Sequence, residues 1–220
     1  MKILELFAGS RSIGKAAEKL GHEVFSTDIH PFEGINLVKD VLELTDAHDI
    51  PFVPDMIWAS PPCTGFSVAA IGHHWTGGKG AYIPKTDTAK LGIRLVEKTI
   101  DIIEFYQDMN NDLVWFIENP RGVLRKMPMM EQLPTRHTVT YCQYGDERMK
   151  PTDIWTNSDT WIPKPMCKNG APCHVSAPRG SSTGTQGRKN NYERSKIPHE
   201  LCLEVIKSTQ PETIFHDDSI

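Results

Sequence analysis

The chain has 220 residues, of which 39% are hydrophobic and 24% charged, and its formal net charge is −4. That length supports one domain with a real core, and the composition excludes a disordered chain and a polycation that binds nucleic acid by bulk charge. No apolar run approaches the roughly 20 residues that span a bilayer, and the opening MKILELFAGS is broken by Glu5, so a cytoplasmic protein with no membrane partner is expected.

Residues 2–7, KILELF, read as a buried strand, followed by the turn AGSRSIG and a helix over KAAEKLG capped by Gly21. HEVFSTDI is a second strand, so strand, glycine-containing turn, helix and strand fall within 29 residues, the opening of a doubly wound parallel sheet. DMIWAS (55–60) is a third apolar run, stopped by Pro61 and Pro62, and residues 68–85 read as a glycine-rich loop. From Thr88 to Met109 the apolar residues Ile93, Val96, Ile100 and Ile103 recur at helical spacing. DLVWFIENP is a strand ending at a proline, and TVTYCQYG and DIWTN are candidate later strands. Residues 164–191 are rich in Gly, Ser, Thr, Pro and basic side chains, which suggests an exposed loop or small appendage. Between 164 and 198 seven Lys/Arg (164, 168, 179, 188, 189, 194, 196) face the single Glu193, leaving a net charge of −10 elsewhere. SKIPHELCLEVIKS places a proline in the first turn of an amphipathic helix, and residues 211–220 read as a tail.

Three strand ends carry residues suited to chemistry. The turn FAGSRSIG (7–14) lies between the first strand and the first helix, where main chain can approach a ligand closely. Asp28, ending the second strand, is placed to accept from ribose hydroxyls, and Asp40 in LVKDV to reach an adenine amino group. The alternative is a plain turn with two solvated aspartates. In SPPCTGFS (60–67) two prolines stiffen the chain before Cys63, whose thiolate becomes a strong nucleophile beside positive charge or a helix dipole. An isolated cysteine is otherwise a small core hydrophobe. Glu118 emerges from the apolar run VWFI, where partial desolvation favours a protonated carboxyl able to donate. In a parallel sheet all three features converge on the carboxyl edge.

LELFAGSRSIG, ASPPCTGFS and FIENP, in that order, resemble the DNA cytosine-5 methyltransferase family over roughly residues 3–155. The resemblance implies a Rossmann-like class I SAM-dependent methyltransferase α/β sheet with S-adenosylmethionine as methyl donor. By this likeness Phe7, Ala8, Gly9, Ser10 and Gly14 form the cofactor loop. Asp28 and Ile29 meet the ribose side, Asp40 and Val41 the adenine, and Pro62 borders the pocket. Cys63 would attack carbon 6 of cytosine and Glu118 would act at ring nitrogen 3. A duplex substrate implies a flipped cytosine, over which the loop from Val68 to Lys85 would close. QYGDERMKPTDIW resembles the family's basic motif, with Arg148 and Lys150 as nearest equivalents of its arginines. RSKIPHEL resembles the closing cofactor motif, which carries over Ser195 and Ile197.

The expected organisation is a catalytic core over 1–156, a reduced basic recognition segment over 157–193, and a returning helix with tail over 194–220. Arg179, Arg188, Lys189 and Arg194 are candidate phosphate contacts. Such compactness is similar to bacteriophage-encoded members, with their restriction-modification setting, a host-cytoplasmic location and a monomeric state. Activity on tRNA, or cofactor and DNA binding without methylation, are the competing readings. CKNGAPCH brings Cys167, Cys173 and His174 within eight residues, a candidate structural zinc site if Cys142, Cys202 or His199 adds a fourth ligand.

Overall fold

The computed structural model describes residues 1–78, 81–176 and 191–210. Among the described residues nine strands form: β1 (Lys2–Leu6), β2 (Glu23–Asp28), β3 (Leu37–Val38), β4 (Met56–Ala59), β5 (Trp75–Thr76), β6 (Ile83–Pro84), β7 (Val114–Pro120), β8 (Thr135–Thr140) and β9 (Pro151–Thr156). Seven make one sheet in the order β3-β2-β1-β4-β7-β9-β8, while β5 and β6 pair as a separate ribbon. The helices are α1 (Ser12–Lys19), α2 (Asp46–Asp49), α3 (Ile71–His74), α4 (Asp87–Met109), α5 (Pro128–Glu131), α6 (Asn191–Ser195) and α7 (His199–Ser208). None of the described helices is long and apolar enough to cross a membrane.

The two-residue period of a strand divides the core between the faces of the sheet. Ile3, Met56, Trp58, Phe116 and Ile154 pack with Ile13 and Ala17 of α1 and with Leu201, Val205 and Ile206 of α7. Leu4, Leu6, Ile57, Ile117 and Trp155 pack with Val96, Ile102 and Ile103 of α4. Burying each large apolar side chain contributes about 1.5–3 kcal/mol, so α7, with Leu201, Val205 and Ile206 fully covered, is part of the core.

Pairing is parallel across β3, β2, β1, β4 and β7. The sheet is not wholly parallel, however: β9 runs antiparallel to both β7 and β8. This arrangement brings the carboxyl ends of β7 and β8 and the amino end of β9 to the same edge. TVTYCQYG is strand only as far as Thr140, after which Tyr141–Tyr144 form a 3-10 turn closed by Gly145 at φ 81°. The glycine-rich stretch contains α3 and the β5–β6 ribbon, which Trp75 secures by donating from Nε1 to the Gly65 carbonyl (2.7 Å). Pro198 precedes α7 as its cap and is not within its first turn.

Packing does not change at residue 157. Trp161 is buried, lies edge-on to Phe116 and His137, and donates from Nε1 to Glu204 Oε1 (3.0 Å). The start of the expected recognition segment is therefore laid against the core. Arg179, Arg188 and Lys189 lie outside the described residues.

Candidate active site

Four loops meet at the carboxyl edge. The β1–α1 loop has left-handed backbone at Phe7 (φ 56°), Gly9 (φ 49°) and Arg11 (φ 54°). For residues bearing a Cβ this conformation is strained, by about 1–2 kcal/mol each, and here it is held from below. Ala8 N–H donates to the Thr27 carbonyl (3.0 Å), Gly9 N–H to Asp28 Oδ2 (2.9 Å) and Arg11 Nε to Ser26 Oγ (3.0 Å). Arg11 also pairs with Glu18.

Around this loop stand most of the expected cofactor residues. Asp28 also accepts from His30 N–H (2.9 Å). Ile29 is 58% exposed, an aliphatic side chain left uncovered next to a carboxylate. Asp40 caps the turn Val41–Glu43 through Leu42 N–H (2.9 Å). Ala8 and Ser10 are buried in the loop, and Ser10 Oγ bonds Ser12 Oγ (2.9 Å). Ile197 N–H donates to that same Ser12 oxygen (3.1 Å), and a Cβ on Gly9 would lie 3.8 Å from Ser195 Oγ. Tyr192 packs on Phe32 with ring centroids 5.3 Å apart. The closing motif thus folds back over the glycine turn, 185 residues away in sequence.

Two positions differ from expectation. A Cβ on Gly14 would come within 2.7 Å of Glu5 Oε2, so Gly14 lets α1 approach the sheet on its Cβ side. The side chain of Val41 is buried in the core, leaving only its main chain for recognition.

At the end of β4, Cys63 is exposed beside an exposed Pro62. Although the residue reaches the surface, its thiol titrates above the ordinary value: surrounding protein partly desolvates the thiolate, and this outweighs the favourable charge of Lys150, while Glu118 raises it further. The side chain therefore stands protonated until a partner takes its proton. Asn119 ties this loop to β7 by donating from Nδ2 to the Pro61 carbonyl (2.8 Å). Gly122 lies so close beneath the loop that a Cβ there would collide with the Phe66 carbonyl oxygen.

Glu118 is only 5% exposed. Its Oε1 accepts from the Tyr141 hydroxyl (2.8 Å) and lies 3.9 Å from Lys150 Nζ. Burial and the adjacent carboxylate push the Tyr141 phenol upward, which keeps it a donor. Lys150, at an unusual φ of 25°, rests over the Tyr141 ring (4.5 Å to the centroid) and donates to the Arg194 carbonyl (3.2 Å). Its ammonium is lowered by burial, against the pull of Glu118.

Arg148 is not a free catalytic cation. Its buried guanidinium pairs with Asp146 and donates to the carbonyls of Arg194 and Lys196 (3.2 Å each), so it fastens the closing motif to the basic motif. Tyr141 joins the site without a sequence signal, since its role depends on strand pairing, whereas Asn119 belongs to the FIENP motif. An open cavity of about 650 Å³ lined by Lys2, Glu23, Asp55 and Asn110 lies at the amino edge and contains none of these groups.

The metal candidates also assemble. Cys142, Cys167, Cys173 and His174 place one ligand atom each within 4.8 Å of all the others. Of the three alternatives for the fourth position, Cys142 is the one that arrives. Cys202 is buried on the core face of α7 and His199 is exposed at that helix's start.

A mostly parallel sheet in this order, with a glycine turn after β1, an acidic end to β2, and chemistry-bearing side chains after β4 and β7, defines a Rossmann-like doubly wound α/β fold. No protein-family model matches the chain. It is 29% identical over 224 residues to a Frog virus 3 (isolate Goorha) protein named "Probable DNA (cytosine-5)-methyltransferase", covering 94% of this chain and 99% of the relative. The resemblance carried by the three motifs is borne out by this relative, which shares the compact length. Among solved structures the chain is similar to a Spodoptera frugiperda DNMT2 variant (TM-score 0.48, 20% identity, 74% of this chain and 52% of that one). It is also similar to the Entamoeba histolytica methyltransferase EhMeth (TM-score 0.48, 12% identity, 76% and 57%). The chain thus spans a little over half the length of these structures.

Proposed function

We propose that the protein methylates carbon 5 of cytosine in DNA, with S-adenosylmethionine as donor and Cys63 as the covalent nucleophile. The observation that carries this reading is the meeting of Cys63, Glu118, Tyr141 and Lys150 at one sheet edge, beside the strained β1–α1 loop.

The residues present suit the donor. Asp28 and Asp40 retain carboxylate lone pairs for hydroxyl and amino groups, and exposed Ile29 offers apolar surface to a flat base. When bound there, S-adenosylmethionine supplies a methyl group on a positively charged sulfur.

Carbon 5 of cytosine is a weak nucleophile, so addition of a thiolate at carbon 6 must come first. Lys150 is the cation favouring the Cys63 thiolate, whose proton leaves to solvent water. Glu118 would hold or protonate ring nitrogen 3 and so stabilise the enamine, with Tyr141 fixing the carboxyl group. After carbon 5 gains the methyl group, its proton leaves to a base or water. The carbon–sulfur bond then breaks, Cys63 departs as thiolate and the ring is restored. A duplex base cannot reach such a site while stacked, so the target is expected to be flipped out.

Radiolabelled S-adenosylmethionine, offered with duplex DNA, single-stranded DNA, tRNA or deoxycytidine nucleotides, tests the proposal. Label is expected in DNA and absent with Cys63→Ala, and an oligonucleotide bearing 5-fluorocytosine should remain attached at Cys63. Label in tRNA alone would overturn the choice of substrate. No label anywhere would leave a cofactor- and DNA-binding protein.

A further inference from the structure

We propose that Cys142, Cys167, Cys173 and His174 hold one zinc ion as a closed structural site, fastening the 167–174 loop to the edge of the sheet that carries Glu118. Cys142 Sγ lies 3.1 Å from Cys167 Sγ and 3.6 Å from Cys173 Sγ, and His174 Nδ1 lies 3.7 Å and 3.6 Å from the same two sulfurs. A tetrahedral ion with bonds of about 2.3 Å to sulfur and 2.0–2.1 Å to nitrogen sets its ligand atoms roughly 3.5–3.8 Å apart. Three of these four separations already match.

The loop is shaped for this convergence. Gly170 adopts φ 88° and Ala171 N–H closes a turn on the Lys168 carbonyl (3.1 Å), which returns Cys173 to Cys167. Cys167 N–H donates to Thr140 Oγ1 (3.0 Å) and Val175 N–H to the Glu147 carbonyl (3.0 Å), securing both ends. Gln143 Nε2 approaches Cys173 Sγ at 3.5 Å, the kind of outer donor that steadies a metal thiolate. With Nδ1 as ligand, His174 Nε2 carries the proton, so the Gly170 N–H now 3.3 Å away shifts outward when the ion enters.

Three soft thiolates and one imidazole favour zinc over hard cations, and four protein ligands leave no open position for substrate or activated water. The ion would join segments 25 residues apart. One of them continues directly from Tyr141, the donor to Glu118. The effect is to brace the start of the basic segment against the catalytic edge.

Elemental analysis of the full-length chain, expressed in zinc-supplemented medium, should find one zinc per chain. Cobalt substitution should give the visible absorption of a tetrahedral thiolate site. Cys173→Ser and His174→Ala should lose the metal, whereas Cys202→Ser should retain it. Stripping zinc with a chelator should speed tryptic cleavage after Lys168. Trace metal in the fresh protein, an octahedral cobalt spectrum, or full zinc in Cys173→Ser would overturn the site. An unchanged cleavage rate would overturn the fastening.

Discussion

Tyr141 donates its hydroxyl to Glu118 across 2.8 Å, and both side chains are withdrawn from water. A hydrogen bond to a charged or ionisable partner in such a setting contributes about 1.5–3 kcal/mol. Tyr141→Phe is therefore expected to lower kcat roughly 10- to 100-fold while leaving cofactor affinity unchanged. Single-turnover methyl transfer with parallel cofactor titration measures both, and an unaltered kcat would remove Tyr141 from the machinery.

Lys150 opposes the partial desolvation that raises the Cys63 thiol. Removing the charge in Lys150→Gln should raise the thiol further, moving the pH profile of Cys63 alkylation to higher pH and slowing the reaction at a fixed, mildly alkaline pH. Lys150→Arg should restore part of the rate. Peptide mass spectrometry resolves Cys63 from the other four cysteines. A profile that stays in place in Lys150→Gln would separate the two residues.

Glu5 is buried beneath α1, and desolvation lifts it from 4.5 to about 7, although Ser26, Arg11 and the Ile13 amide pull it down. A folded state that binds this proton more tightly than the unfolded chain is most favoured below the unfolded value. It loses the advantage as pH rises through about 7, a change of about 3 kcal/mol. Glu5→Gln keeps an acceptor for Ile13 N–H without a buried charge. Its Tm should fall less than that of the parent between about pH 5 and 8, and parallel Tm curves would contradict the assignment.

Gly122 lies under the Phe66 carbonyl, where an added methyl group meets main chain and not a yielding side-chain tip. Gly122→Ala should destabilise the protein by about 1–3 kcal/mol and displace the Cys63 loop. Adduct formation with a 5-fluorocytosine oligonucleotide should drop more than cofactor binding does. Equal losses in both would point to general unfolding instead.

Cys63 and Glu118 were legible because each ends an apolar run, and parallel pairing necessarily brings such ends together. Of the partners of Glu118, Lys150 was readable within the basic motif, whereas Tyr141 was not, because it arrives through the antiparallel turn of β8 and β9, which those short segments do not announce. Arg148 misled for a related reason. A basic residue in a recognition-like motif suggests a ligand contact, but Asp146 two residues earlier and carbonyls 46 and 48 residues later occupy its donors. Three members of the thiol–imidazole cluster were readable from local spacing, whereas choosing Cys142 over Cys202 or His199 required the folded chain. Phe7 and Arg11 showed nothing of their left-handed backbone, since non-glycine residues rarely adopt it.

Because α7 lies on α1 and closes one side of the sheet, a nascent chain emerging from the ribosome cannot complete its core until residue 208 has been made. The early βαβ segment must wait with Ile3, Ile13 and Met56 uncovered, a high-contact-order route expected to slow folding and invite chaperone capture.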